Sequence, residues 1–265
     1  MAEPRRRTAP GHAPIPAPRR GFSLVELLVV IGVIGLLLAL LLPVIGSVRR
    51  AANATKCLAN VHQWAQAYQM YLSANRGRSF VLGDMPTRMD AGNNPSMWWE
   101  ILQPHQPDAV AGLLCPEASE AANVTPKDAF HAWGPERFWD TPTKIRGPYV
   151  GSYGFNSWLY QPSSEDNRMP EHLRLPTKQG DKVPVVFDCA RLDIPVLDTD
   201  PPALYGVAPA NGAKPGSMRW AALERHKDGI NVAFLDGHAD HVSATGLWEL
   251  KWSEQFTPRK VTIQR

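Results

Sequence analysis

From Leu27 to Val48 the chain is almost wholly apolar, interrupted by Gly32, Gly35, Pro43, Gly46 and Ser47. About 20 apolar residues at 1.5 Å rise span a hydrocarbon core of roughly 30 Å, so this run predicts a membrane-spanning helix. The pattern then changes without a break. Leu58, Val61, Ala65, Tyr68 and Leu72 recur at three- and four-residue steps, flanked by Cys57, Trp64 and Tyr71, while Gln63, Gln66, Gln69 and Ser73 take the other face. Such spacing predicts an amphipathic helix with one buried stripe. Asn75-Arg76-Gly77 supplies a stop, with glycine able to take the left-handed cap conformation. The pattern therefore predicts one helix from about Leu24 to Asn75, roughly 75 Å long, with a membrane half over 22–48 and an amphipathic half over 49–76.

Residues 77–265 read differently, as short elements between turns. Met97 to Leu102 predicts a short helix or strand ended by Pro104, and Leu113-Leu114-Cys115-Pro116 is a brief apolar piece. Tyr149 to Tyr160 alternates enough for strand and turn, and Val183 to Asp188 is an apolar, β-branched strand. Residues 195–218 are a Pro/Gly/Ala loop. The clearest local signal is Ile230 to Leu235, then Asp236-Gly237, then His238 to Val242, which predicts a hairpin over 230–242 with a two-residue turn. That turn pairs Ala233 with Asp240 and Val232 with His241, and it places Asn231, His238 and Asp240 on one face. A short helix from about Leu247 to Trp252 follows.

Composition narrows the class. The formal charge is only +3, much of it from leader arginines, so no nucleic-acid-binding surface is expected. Twenty-five prolines, most of them between Pro86 and Pro215, with 44% hydrophobic residues, describe a globular but loop-rich domain. Arg5, Arg6, Arg7, Arg19 and Arg20 precede the apolar run, while Arg49, Arg50 and Lys56 follow it more sparsely. The positive-inside rule puts the N-terminus in the cytoplasm and everything after about Val48 outside. Cys57, Cys115 and Cys189 then share a compartment that permits disulfides, though an odd count leaves at least one thiol over. Two alternatives stand: a Cys57–Cys115 bond stapling the helix to the loop domain, or three free buried thiols. No C-x-x-C spacing supports a zinc or redox reading.

Gly21-Phe22-Ser23-Leu24-Val25-Glu26, set against the apolar run, resembles the type IV prepilin signal shared by pilins and the pseudopilins of type II secretion. A secretory signal peptide is the rival, but its apolar region is roughly 7–15 residues and its cut follows that region. Here the glycine precedes the run. The resemblance implies cleavage after Gly21 by a prepilin peptidase, which removes the basic, Pro-rich leader (1–21) and methylates the Phe22 amine. It also implies a role for Glu26, since a carboxylate inside a membrane helix costs about 2.5–3.5 kcal/mol and usually marks function. In pilin-like proteins its partner is the N-terminal amine of a neighbouring subunit. Pro43 fits the same pattern as a helix kink. The implied fold is α+β and pilin-like: a long N-terminal helix packed on a small antiparallel sheet with long Pro-rich loops.

A second resemblance lies downstream. His226, nine residues, then Asp236-Gly237 is similar to the element that names a bacterial family of prepilin-type proteins by their His-x9-Asp-Gly motif. Cys57-Leu58-Ala59-Asn60, Cys115-Pro116 and Tyr153-Gly154-Phe155-Asn156 look like the same family; Cys189 and the 195–218 loop depart from it. His226, Asp228, Asp236, His238, Asp240 and His241 are ligand types suited to a divalent metal. His226 and Asp236 lie at opposite ends of a strand, however, about 20–30 Å apart, and cannot chelate one ion together. His238 and Asp240, helped by Asn231, form the better metal candidate, with Ca2+ or another divalent cation as the ion; a solvated hairpin is the competing reading. Otherwise no cofactor is expected.

No G-x-S-x-G, H-E-x-x-H or P-loop pattern occurs, so no enzyme is expected. The resulting expectation is a single-pass protein of a bacterial inner membrane with a periplasmic C-terminal domain. It would be a subunit of a type II secretion pseudopilus or type IV pilus-like filament, with the peptidase/methylase, other pilin-like subunits and an inner-membrane assembly platform as partners. The alternative is a membrane-tethered binding protein that is processed in the same way but does not polymerise.

Overall fold

The computed structural model describes residues 23–81, 97–106, 111–118, 128–134, 150–161, 172–175, 177–206, 216–221 and 223–263. Helix α1 runs over Leu24–Ala74 and continues through Pro43. Ser23 caps its start: Val25 N donates to Ser23 Oγ at 3.2 Å, and Ser23 N donates to Glu26 Oε2 at 2.9 Å. Its end is left-handed at both Arg76 (φ 57°) and Gly77 (φ 76°), and Gly77 N donates to Leu72 O at 2.7 Å, satisfying one of the last carbonyls.

Two compact units divide the chain, one up to Val48 and one from Arg49 onward. In the first, the large apolar side chains from Leu24 to Val48 are all exposed. The second unit holds α2 (Trp98–Leu102) and five strands: β1 (Tyr153–Asn156), β2 (Pro184–Asp188), β3 (Asp193–Ile194), β4 (Gly229–Phe234) and β5 (Ala239–Ser243). They form one sheet in the order β3-β1-β2-β4-β5. The architecture is thus α+β, but the sheet is mixed rather than wholly antiparallel, because β3 lies parallel to β1. The chain leaves β2, turns at Cys189–Leu192 and comes back along the far side of β1.

Both faces of the sheet are covered. On one face Tyr153, Phe155, Val186 and Ala233 pack with the stripe of α1 (Cys57, Val61, Trp64, Ala65, Tyr68 and Leu72) and with Trp98 and Trp99 of α2. On the other, Phe187, Ile230, Val232 and Phe234 pack with Met218, Leu247, Trp248 and Trp252. The stripe is rotated slightly from the expected one: Cys57 and Trp64 are fully buried, while Leu58 and Tyr71 are only half-buried. The final helix is a single turn over Gly246–Glu249. Trp139 and the middle of the 195–218 loop lie outside the described residues.

The β4–β5 hairpin departs from expectation by one residue. Ala233 pairs with Ala239, Val232 with Asp240 and Asn231 with His241. The loop has three residues, Leu235-Asp236-Gly237: Gly237 N donates to Phe234 O (3.0 Å), and Phe234 N donates to His238 O (2.9 Å). Gly237, at φ 97°, is the left-handed residue that closes a three-residue loop, so Asp-Gly fills its last two places rather than the centre of a two-residue turn. Gln69 on α1 donates to Leu235 O and pins the turn to the helix.

One glycine is dictated by packing. Trp133 and Gly151 exchange backbone hydrogen bonds (2.7 and 2.9 Å), and the Trp133 ring lies across the place where a Cβ on residue 151 would sit, 2.2 Å from it. That ring has no exposed surface, stacks on Trp99 and donates from Nε1 to Tyr153 O at 3.0 Å, so it is held in place. Gly151→Ala is therefore expected to destabilise the folded state by about 1–3 kcal/mol, measured by urea denaturation of the full chain in detergent.

Candidate functional site

The most concentrated chemistry lies between α1 and the sheet. Cys57, Cys115, Asp188 and His226 each present one donor atom, and these four atoms all lie within 4.8 Å of one another, buried. Four separate segments supply them. Cys57 faces the sheet from α1, and Asn60, one turn on, faces the same way and donates to Tyr153 Oη at 3.3 Å. Cys115 is held by its backbone, whose N–H donates to Ser152 Oγ at 2.6 Å. Asp188 ends β2 opposite Tyr153. His226 sits in the turn before β4, where its N–H donates to Gly229 O (3.0 Å) and Lys227 takes a left-handed conformation (φ 66°). That turn needs glycine at 229, since a Cβ there would meet Val242 O at 2.0 Å.

Asp188 is the hub. Its Oδ1 accepts from Arg225 Nη1 at 2.7 Å, and its Oδ2 accepts from the Asn231 backbone N–H at 2.9 Å. Cys57 Sγ lies 3.4 Å from both carboxylate oxygens, and His226 Nε2 lies 3.3 Å from Oδ2 and 3.3 Å from Cys115 Sγ. Arg225 is fixed in turn by Ala129 O (2.6 Å) and Ser152 O (2.8 Å). Neither Arg225 nor Asp188 exposes any side-chain surface.

The electrostatics follow from burial and these partners. Burial would raise the Asp188 carboxyl, but the Arg225 charge, His226 and the Asn231 N–H hold it down at about 2. Burial would lower His226, but Asp188 and Cys115 raise it to about 10. The Cys57 thiol is pushed well up, first by burial and then by Cys115 and Asp188. For Cys115 burial acts upward, yet hydrogen bonds from Cys57 and His226 and the Arg225 charge bring the thiol down. One sulfur of the pair is thus biased toward thiolate beside an imidazole and a guanidinium. Cys57 and Cys115 both have no exposed surface, which keeps this sulfur from a bulky substrate. Cys189 stands apart: burial pushes its thiol up to about 12.

The expected site residues fall as follows. Gly21 and Phe22 lie outside the described residues. Glu26 is in the first turn of α1, where its carboxylate accepts the Ser23 N–H. Cys57 and Cys115 are neighbours but carry no disulfide; all three cysteines are free and buried. The His238–Asp240–Asn231 metal candidate does not assemble. In the observed register His238 and Asp240 share a face with Phe234 and Val232, while Asn231 faces α1, where its Nδ2 donates to Ala54 O at 3.1 Å. His238 instead pairs with Asp236, Nδ1 to Oδ1 at 2.5 Å, and stacks on the Phe234 ring. His226 and Asp236 are indeed at opposite ends of β4, and His226 joins residues distant in sequence. Asp188 and Arg225 carried no sequence signal; the Cys57 and Cys115 signatures and His226 did, but nothing showed that they meet.

Residues 17–42 match the family model for the prokaryotic N-terminal methylation motif. No curated protein and no solved structure matches the chain. The methylation motif supports a prepilin-like protein, implies processing by a prepilin peptidase, and agrees with α1 as a single-pass membrane anchor.

Removing Arg225 takes the closest countercharge from a fully buried carboxylate and leaves only the more distant His226, at 3.3 Å, as a cationic neighbour. Arg225→Met is expected to cost about 3–5 kcal/mol in denaturant titrations, and adding Asp188→Asn to it should restore a measurable part of the loss.

Proposed function

We propose that this chain is a pilin-like subunit, cleaved after Gly21 and N-methylated at Phe22, that assembles into a type II secretion pseudopilus or a type IV pilus-like filament. The observation that carries this reading is the methylation motif over 17–42, continuous with a helix whose apolar side chains from Leu24 to Val48 are all exposed. Such a surface suits lipid, and in a filament the same side chains would pack against other subunits' helices. In support of the orientation in this reading, a cytoplasmic N-terminus with residues 49–265 in the periplasm, arginines are denser before the apolar run than after it.

Glu26 is the assembly residue in this reading. Within one chain its carboxylate accepts the Ser23 N–H (2.9 Å). Cleavage after Gly21 creates a positive amine at Phe22, and in low dielectric a neighbour's Glu26 is its natural partner. The exchange of a local cap for an intersubunit ion pair sets the axial stagger of subunits. The His-x9-Asp-Gly group of prepilin-type proteins is the family we assign. In support, Cys57, Asn60, Cys115, Tyr153 and His226, all from stretches resembling that family, crowd around Asp188. We assign the protein no catalytic activity.

Mass spectrometry of the protein isolated from membranes tests the processing step. The expected N-terminus is Phe22 carrying one methyl group; an intact Met1, or a cut beyond the apolar run, sinks the proposal. Glu26→Ala should leave the protein membrane-bound while removing it from sheared or cross-linked filaments.

A further inference from the structure

We propose that Cys57, Cys115, Asp188 and His226 form a structural site for a thiophilic divalent cation, Zn2+ in the first instance. The donor set is two sulfurs, one imidazole nitrogen and one carboxylate oxygen, a combination suited to Zn2+ and poorly suited to Ca2+ or Mg2+. The four donors come from α1, the Cys115-Pro116 segment, β2 and the turn before β4, so one ion would join every layer of the helix-side core.

Three features separate this site from a set of ordinary hydrogen bonds. First, the contacts are shared rather than paired. His226 Nε2 is 3.3 Å from both Cys115 Sγ and Asp188 Oδ2, and Cys57 Sγ is 3.4 Å from both Asp188 oxygens. A single proton cannot serve two acceptors well, whereas a central ion serves all four donors together. Second, the lengths discriminate. A charge-assisted N–H···O bond is about 2.7–2.9 Å, and Arg225–Asp188, in the same cluster, is 2.7 Å. His226–Asp188 is longer, at 3.3 Å. Tetrahedral Zn2+ with ligands at 2.0–2.3 Å keeps its donors about 3.3–3.8 Å apart. The closest separations here already have that size, and none of the six exceeds 4.8 Å, so modest side-chain shifts complete the tetrahedron.

Third, the surroundings suit a bound ion. Asp188 Oδ1 is occupied by Arg225, and Oδ2 accepts the Asn231 N–H while keeping a second lone pair for a metal. The His226 carbonyl is held by His241 Nε2 at 2.9 Å, which steadies the segment that presents the imidazole. Charge also balances. Two thiolates and one carboxylate are neutralised by a divalent cation and the Arg225 guanidinium, so the buried group as a whole carries no net charge. Binding displaces to solvent the Cys57 thiol proton and the proton shared between His226 Nε2 and Cys115 Sγ, and it involves no change of oxidation state.

Full-length protein in detergent, reduced and stripped with chelator, can be titrated with Zn2+ and with Co2+ as the spectroscopic substitute. The proposal expects about one equivalent of metal per chain, a rise in thermal midpoint on binding, and a Co2+ spectrum with tetrahedral d–d bands and thiolate-to-metal charge transfer. Cys57→Ser and Cys115→Ser should each lose about half of the charge-transfer intensity, and His226→Ala should weaken binding by more than ~100-fold. Cys189→Ser is the matched control and should behave as the unsubstituted chain does. Should the ligand variants not fold, the Co2+ spectrum of the unsubstituted protein decides alone, because its charge-transfer band requires bound thiolate. No metal uptake by the reduced chain, unchanged affinity in Cys57→Ser, or a Cys57–Cys115 disulfide in protein taken from membranes would each overturn the proposal.

Discussion

A carboxylate without exposed surface constrains everything built around it. Asp188 sits at the end of β2, and its charge must be met by partners that arrive from elsewhere in the chain. Arg225 comes from the turn before β4, the Asn231 N–H from β4 itself, and Cys57 from α1. Satisfying one anion thereby sets where β4 lies against β2 and which face of α1 meets the sheet. Arg225 also caps the carbonyls of Ala129 and Ser152, so the loop that precedes β1 is tied to the same point. The apolar contacts on either side supply most of the burial, but they tolerate sliding; this polar centre does not.

The tryptophans show how far burial dominates the rest. Trp64, Trp98, Trp99, Trp133, Trp248 and Trp252 are all fully enclosed, divided between the two faces of the sheet. Five of the ring nitrogens are matched to backbone carbonyls: Trp64 to Gly112, Trp98 to Leu192, Trp133 to Tyr153, Trp248 to Asp200 and Trp252 to Leu247. Among the described residues these indole-to-carbonyl ties add to the ladder hydrogen bonds of the sheet and let irregular loops be buried without stranding their polar groups. Among the described residues, these six tryptophans are core.

Where periodicity was long, the fold was legible. The helix, its change from lipid-facing to amphipathic character and its stop near Gly77 follow from residue spacing, as do β2 and the β4–β5 pair. Spacing failed where one residue matters. Asp236-Gly237 announces a turn but does not distinguish a two-residue loop from a three-residue loop closed by Gly237, and that difference moved Asn231 away from His238 and Asp240. The parallel placement of β3 rests on two residues and no local pattern. The buried cluster was half visible: the motif residues Cys57, Cys115 and His226 stood out singly, but their convergence is a tertiary fact, and Asp188 looked like any acidic strand end. Tyr153-Gly154-Phe155-Asn156 now has physical reasons too. A Cβ on Gly154 would lie 2.7 Å from Arg191 O, and Asn156 donates to the carbonyls of Pro184 and Trp252.

The spacing between His226 and Asp236-Gly237 is best understood as a ruler. His226 belongs to the buried cluster and Asp236-Gly237 to the turn at the far end of β4; they share no site, only the strand between them. Nine intervening residues are what a tight reversal at Lys227–Gly229 and one full strand require. One residue more or fewer would force a choice: keep His226 at the cluster and rotate every later side chain of β4 to the wrong face, or keep the faces and withdraw the imidazole. The motif therefore records a distance, and its two ends guard different parts of the molecule.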